Sequence, residues 1–130
     1  MVDTIVGRTA SGASRSKAHS RSVQISVEDI TVQLLRILGK HLLALIVGRD
    51  SRSVARWAAG ENHPGHVEER KLRNAFQIFE LLASVESDHT VRAWFMGMNP
   101  QLNDDSPAEA LAAERFQDVA AAARAFIAGG

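Results

Sequence analysis

Apolar side chains recur along this chain at helical spacing. In the segment HLLALIVGRDSRSVARWAAG, His41 to Gly60, a period of about 3.6 residues puts Leu42, Leu45 and Ile46 on one side. Val54, Trp57 and Ala58 share a side after the interruption at Gly48-Arg49-Asp50, so the spacing predicts two short helices joined by a sharp turn. Asp50 or Ser51 can cap the first free amides of the second helix, and Gly60 is placed to stop it. With Val54 and Trp57 turned inward, the outward face carries Arg52, Ser53 and Arg56, with Arg49 in the turn before it. This is the layout of a helix-turn-helix recognition element, because arginine pairs with phosphates or guanine edges and helix-start amides favour a phosphate. A solvated helix surface accounts for the same pattern without a ligand, and the spacing alone leaves both readings open.

The flanking pattern is helical throughout. Ser26 with Asp29 marks a start near Val27, followed by a stripe of Thr31, Leu34, Leu35 and Leu38. Asn62-His63-Pro64-Gly65 breaks the chain, and Val67 to roughly Glu86 then supports the longest helix. Its stripe is Leu72, Ala75, Phe76, Phe79, Leu82 and Ala83, widened by Ile78, Leu81 and Val85, with Glu69 and Arg73 spaced as a helical ion pair. So wide an apolar surface serves either a helix running through the middle of the fold or a dimer seam. Beyond it, Ser87-Asp88 opens a short helix with Val91, Trp94 and Phe95 inward, closed by Gly97, Asn99 and Pro100, and Leu102 tethers the next loop. Ser106-Pro107-Ala108-Glu109 has the pattern of a capping box with proline at the first helical position. A last helix is expected over about Arg115 to Ala128, with Phe116, Val119, Ala120, Ala123, Phe126 and Ile127 on one face. Gly129-Gly130 then releases the chain, to enter a narrow partner cleft or to fray in water.

The expected fold class is therefore all-α: a compact multi-helix domain in which a helix-turn-helix is followed by a long central helix and a short-helix C-terminal module. The expected division is a flexible basic arm over 1–25, a helix-turn-helix region over 26–63, and a second region over 64–130.

Composition narrows the function classes. At 130 residues, with 45% apolar and 23% charged, the chain suffices for one domain with a real core. It has no cysteine, which removes disulfides, thiolate metal sites and thiol nucleophiles. No apolar run approaches a membrane span and the N-terminus lacks a secretion-signal segment, so a cytoplasmic protein without a membrane partner is expected. The net charge of zero hides an asymmetry: residues 1–50 hold seven basic and four acidic side chains, and 51–130 eight and eleven. A positive DNA-facing end would produce this difference, as would ordinary charge scatter. The arm supplies Arg8, Arg15, Lys17 and Arg21, which either attract phosphate or only solubilise. His19, His41, His63, His66 and His89 form no triad or ligand set, and His63 with His66 lack a third ligand, so neither catalysis, a metal nor a cofactor is expected.

A resemblance emerges from the order of several segments. These are Ser51-Arg52-Ser53-Val54-Ala55-Arg56-Trp57-Ala58-Ala59-Gly60, the long helix through Leu72 and Leu82, and Trp94 followed by Asn99-Pro100 and Leu102. Pro107 with Leu111 and Glu114-Arg115-Phe116-Gln117 complete the series. From about residue 28 onward the chain resembles the Xre/MbcA/ParS antitoxin family, nearest its mycobacterial MbcA-like branch. In that family a helix-turn-helix precedes a toxin-binding domain. Asn103-Asp104-Asp105 stands where the wider family has a glycine-containing stretch, and the terminal helix is unusually rich in alanine.

The resemblance implies an antitoxin of a type II toxin-antitoxin system. Its partner would be a RES-domain toxin that consumes NAD, neutralised by occlusion of the toxin's active site. The pair would repress its own promoter, giving a homodimer or a larger toxin-antitoxin hetero-oligomer on operator DNA. The implied DNA-binding residues are Arg49, Ser51, Arg52, Ser53 and Arg56. The implied toxin-binding residues are Trp94, Met98, Asn99, Arg124, Phe126, Ile127, Gly129 and Gly130, of which Phe126 and Ile127 serve equally well as core. A stand-alone helix-turn-helix regulator is the alternative, and a dimeric structural adaptor is a third.

Overall fold

The computed structural model describes residues 25–129. The expected basic arm lies outside them apart from Ile25, as does Gly130. Among the described residues there are helices and turns and no strand.

Four of the seven described α-helices begin where a side chain replaces the missing backbone acceptor. Ser26 accepts from the Asp29 amide at 3.1 Å and starts α1, Val27–Leu38, with Glu28 and Asp29 in its first turn. Val27, Ile30, Thr31, Leu34, Ile37 and Leu38 are its buried face, and the Thr31 hydroxyl donates to the Val27 carbonyl at 2.7 Å, so no polar group is stranded. Gly39 ends α1 at φ 85°, ψ 162°, a conformation essentially reserved for glycine, and α2, Lys40–Val47, starts directly after it. The turn through left-handed Gly48 leads to α3, Ser51–Ala58. Then follow α4, His66–Ala83, and α5, Asp88–Met96, capped by Ser87. A 3-10 turn at Pro100–Leu102 precedes α6, Pro107–Ala112, and α7, Phe116–Ile127. The capping box at α6 is complete: the Glu109 amide donates to Ser106 Oγ at 3.0 Å, and the Ser106 amide to Glu109 Oε1 at 2.9 Å.

The 18-residue α4 is the axis of the packing. It touches α1 and α2 of the first half and α5, α6 and α7 of the second. Leu72, Ala75, Phe76, Ile78, Phe79 and Leu82 are buried on it, and the Phe76 and Phe79 rings lie 5.9 Å apart. These side chains join those of the other helices in one contiguous core. The width of the apolar stripe is thus used within the subunit.

The structure corrects two expectations of that pattern. Leu45 is 48% exposed, and α2 buries Leu43, Ile46 and Val47 instead. In the near-continuous apolar run Leu42 to Val47 two helical phases are almost equally good, and contact with α1, α3, α4 and α6 selects one. Val85, 56% exposed, lies past the end of α4, where the Ser84 hydroxyl takes the Leu81 carbonyl at 2.7 Å and the Glu86 amide the Leu82 carbonyl at 2.9 Å. Leu35, Ala58, Leu81, Ala83 and Trp94 are only half-buried, as are Phe116, Phe126 and Ile127 on α7.

Candidate functional site

Two surfaces carry the residues that the sequence singles out. The first is built on the α2-turn-α3 unit. Gly48, at φ 72°, lets its own amide close on the Ala44 carbonyl at 2.9 Å and reverses the chain. Asp50, one of the two cap candidates, is the cap: its Oδ1 accepts from the Ser53 amide at 2.8 Å. That bond, with further help from the Ser53 hydroxyl and the charges of Arg52 and Arg49, holds the Asp50 carboxyl below its usual range. Val54 and Trp57 are buried, which fixes the rotation of α3 about its axis.

The outward face is therefore the expected one, with a difference among its arginines. Arg52 and Arg56 are exposed, and neither has an ion pair among the described residues. Arg49 is held. Its Nη1 lies 3.6 Å from Glu68 Oε2 in the first turn of α4, its Nη2 donates to Ser53 Oγ at 3.3 Å, and its guanidinium sits 5.7 Å from the Trp57 ring centroid. Arg49 thus braces the turn against α3 and α4, while Arg52 and Arg56 point to solvent. Ser51 and Ser53 are half-buried beside them. Sequence reasoning missed Glu68, since nothing in the spacing of residues 49 and 68 indicates that the turn folds back onto α4.

The second surface forms where the C-terminal ends of α5 and α7 meet. Trp94 on α5 is half-buried, edge-on to Phe95 at 5.5 Å and 6.3 Å from the ring of Phe126 on α7. Further along the chain, Met96 is 53% exposed and Met98 is 76% exposed, the highest value for a large apolar side chain among the described residues. Ile127 is half-buried; Arg124 and Gly129 are exposed. Trp94 and Phe126 are brought together as a pair, and the predicted set gains Met96, which sequence reasoning left out. The inward spacing of Val91 and Phe95 contains that signal, since the residue after Phe95 turns to solvent.

Asn99 has an architectural task. Its side chain accepts from the Gln101 amide at 2.9 Å, its amide donates to the Asp105 carbonyl at 3.1 Å, and its carbonyl accepts from Leu102 and Asp104 at 2.9 Å each. The same loop places Asn103 at φ 58° and Asp104 at φ 68°. Asparagine and aspartate tolerate this left-handed conformation best after glycine, so a loop without glycine still turns here.

Ionic contacts fasten the start of α7. Arg70 Nε meets Glu114 Oε1 at 2.7 Å, which holds the Glu114 carboxyl below its usual range, while Arg115 reaches Asp105 and Asp118 at 3.2 Å each. On α4, Glu69 pairs with Arg73 at 2.9 Å, the chief cause of its lowered pKa, and lies 3.4 Å from His63 Nε2. No group of three His, Asp or Glu side chains is placed to hold a metal among the described residues. No described helix is long and apolar enough to cross a membrane.

No family model and no curated protein matches the chain. Among solved structures, the fold matches a chain of the crystal structure of the M. tuberculosis MbcT-MbcA toxin-antitoxin complex with a TM-score of 0.69. The match has 25% identity and covers 81% of this chain and 96% of that one. This likeness relates the present helix-turn-helix chain, over most of its length, to the MbcA/Xre toxin-antitoxin family.

Proposed function

We propose that this chain is an antitoxin that neutralises a RES-domain, NAD-consuming toxin by plugging the mouth of its active site. The observation that carries the reading is the half-buried pair of Trp94 and Phe126, with the exposed Met96 and Met98 following Trp94 on the chain, in a fold similar to a chain of a toxin-antitoxin complex. Tryptophan and methionine are favoured at interface centres, and a half-buried Trp94 packed on Phe126 is already ordered before it meets a partner. Phe126 and Ile127 then contribute their outer edges, while their inner edges remain part of the core. An interface of about 1,600 Å² is within reach of the ends of α5 and α7 with the loop between Gly97 and Asp105.

Inhibition of this kind is steric, so the chain needs neither a catalytic base nor a cofactor. Residues 64–130 provide the toxin-binding and oligomerisation region, and residues 26–63 the operator-binding region, through Arg52 and Arg56 with Ser51 and Ser53 beside them. Arg49 positions that helix through Glu68 and Trp57. The protein acts in the cytoplasm, alone as a homodimer or with its toxin in a larger complex that represses their shared promoter.

The test is a search of the genes flanking this one for a RES-domain protein, its purification, and titration of its NAD consumption with the antitoxin. Stoichiometric loss of turnover and a stable complex are expected. A toxin whose activity is untouched by excess antitoxin would reject the proposal. The exposed Arg52 and Arg56 also favour a second reading, a stand-alone helix-turn-helix regulator. That reading gives specific protection of promoter DNA with no RES-domain partner.

A further inference from the structure

We propose that Met96 and Met98 form an oxidant-sensitive site on the partner-facing surface, where conversion to methionine sulfoxide by hydrogen peroxide weakens toxin binding. The inference rests on the toxin-binding reading given above.

The chain has no cysteine, so no thiol competes for a two-electron oxidant, and its thioethers are Met1, Met96 and Met98. Met96 and Met98 are 53% and 76% exposed, on either side of Gly97, whose extended backbone (φ −83°, ψ 154°) separates the two side chains without a Cβ between them. Peroxide therefore reaches both sulfurs in the folded protein. The sulfur lone pair attacks one peroxide oxygen, an S–O bond forms as the O–O bond breaks, and the second oxygen leaves as water after proton transfer. Sulfur loses two electrons and the peroxide gains them.

The fold and the interface feel this change differently. Val91, Phe95 and Leu102 in the same stretch are buried in the core and the two methionines are not, so a sulfoxide at residue 96 or 98 projects into water and leaves the packing intact. In a dry interface the same oxygen would lose its water without a matching donor. One added oxygen per sulfur is thus silent for folding and unfavourable for binding. By the same linkage a bound partner shields the thioethers and slows their oxidation.

The experiment treats the full chain alone with hydrogen peroxide, removes the oxidant with catalase, and maps the oxygen by peptide mass spectrometry. Each preparation is then titrated against NAD consumption by the RES-domain protein of the preceding test. The expected result is one oxygen on each of Met96 and Met98, an unchanged thermal unfolding curve, and inhibition weakened by about tenfold or more. The double variant M96L/M98L is compared with itself before and after treatment, and its treated-to-untreated ratio is expected to stay near one. Failure of the folded chain to take up oxygen at these residues would overturn the inference. So would fully oxidised protein that inhibits within about twofold of the untreated protein, or a variant that loses inhibition as the parent does. Failure of the untreated chain to inhibit would reject the toxin reading itself, whereas inhibition that survives oxidation would reject this inference alone.

Discussion

Replacing Arg52 and Arg56 by alanine tests how the three arginines at the helix-turn-helix divide their work. Both side chains are exposed and without an ion pair among the described residues, so removing them is expected to change stability by no more than about 0.5 kcal/mol. Binding is a different matter. A cation that neutralises one phosphate contributes roughly −0.9 to the slope of log affinity against log salt, so two such contacts contribute about −1.8 together. If either arginine instead grips a guanine edge, its loss costs about 1–3 kcal/mol at that base pair, roughly five- to 150-fold in affinity. Arg49→Ala is the contrasting variant. It forfeits an ion pair with Glu68, a hydrogen bond to Ser53 and the contact over Trp57, together worth about 1 kcal/mol of fold stability at this half-exposed site. Fluorescence anisotropy with the chain's own promoter fragment, a scrambled duplex and a salt series measures the binding terms, and thermal unfolding measures the other. R52A/R56A is expected to keep its melting temperature and lose both affinity and salt slope, while R49A loses melting temperature first. A double variant that binds the promoter with unaltered affinity and slope would refute the assignment of α3 as the DNA-facing helix.

Further outcomes follow from the other surface and from the caps. Met98→Glu, at a side chain 76% exposed, is expected to leave thermal stability unchanged and to weaken toxin inhibition by about thirtyfold or more, because a charge would be buried without a partner; normal inhibition by this variant would exclude Met98 from the interface. Ser106→Ala removes the acceptor of the capping box at α6 and is expected to cost about 1 kcal/mol, read as a fall of roughly 4–6 °C in melting temperature. Acid should destabilise the fold in part through Glu69. Its native carboxyl, bonded chiefly to Arg73, sheds its proton at lower pH than the ordinary value of 4.5. The stabilisation is therefore complete above that value and is lost as pH falls through the lower native one, so denaturant midpoints measured from about pH 6 to pH 3 should fall less steeply for Glu69→Gln than for the parent chain.

The sequence by itself determined where along the chain the helices lie, to within a few residues, and how four of them begin. Ser26, Asp50, Ser87 and Ser106 each cap the helix they precede, and Gly39 and Gly48 stand where the backbone enters conformations that other residues resist. These are local effects, carried by contacts between near neighbours, and so they are legible in order along the chain. It also determined that α3 turns Val54 and Trp57 inward and Arg52 and Arg56 outward, since only one face of SRSVAR is apolar. Only the tertiary structure decided the phase of α2, where Leu42 to Val47 is apolar nearly all round and neighbouring helices bury Leu43 in place of Leu45. It alone tied Arg49 to Glu68, set Trp94 against Phe126, and left Met96 and Met98 uncovered. Those relations join residues on separate helices, and their distances depend on how α4 holds the two halves together, which no local spacing encodes.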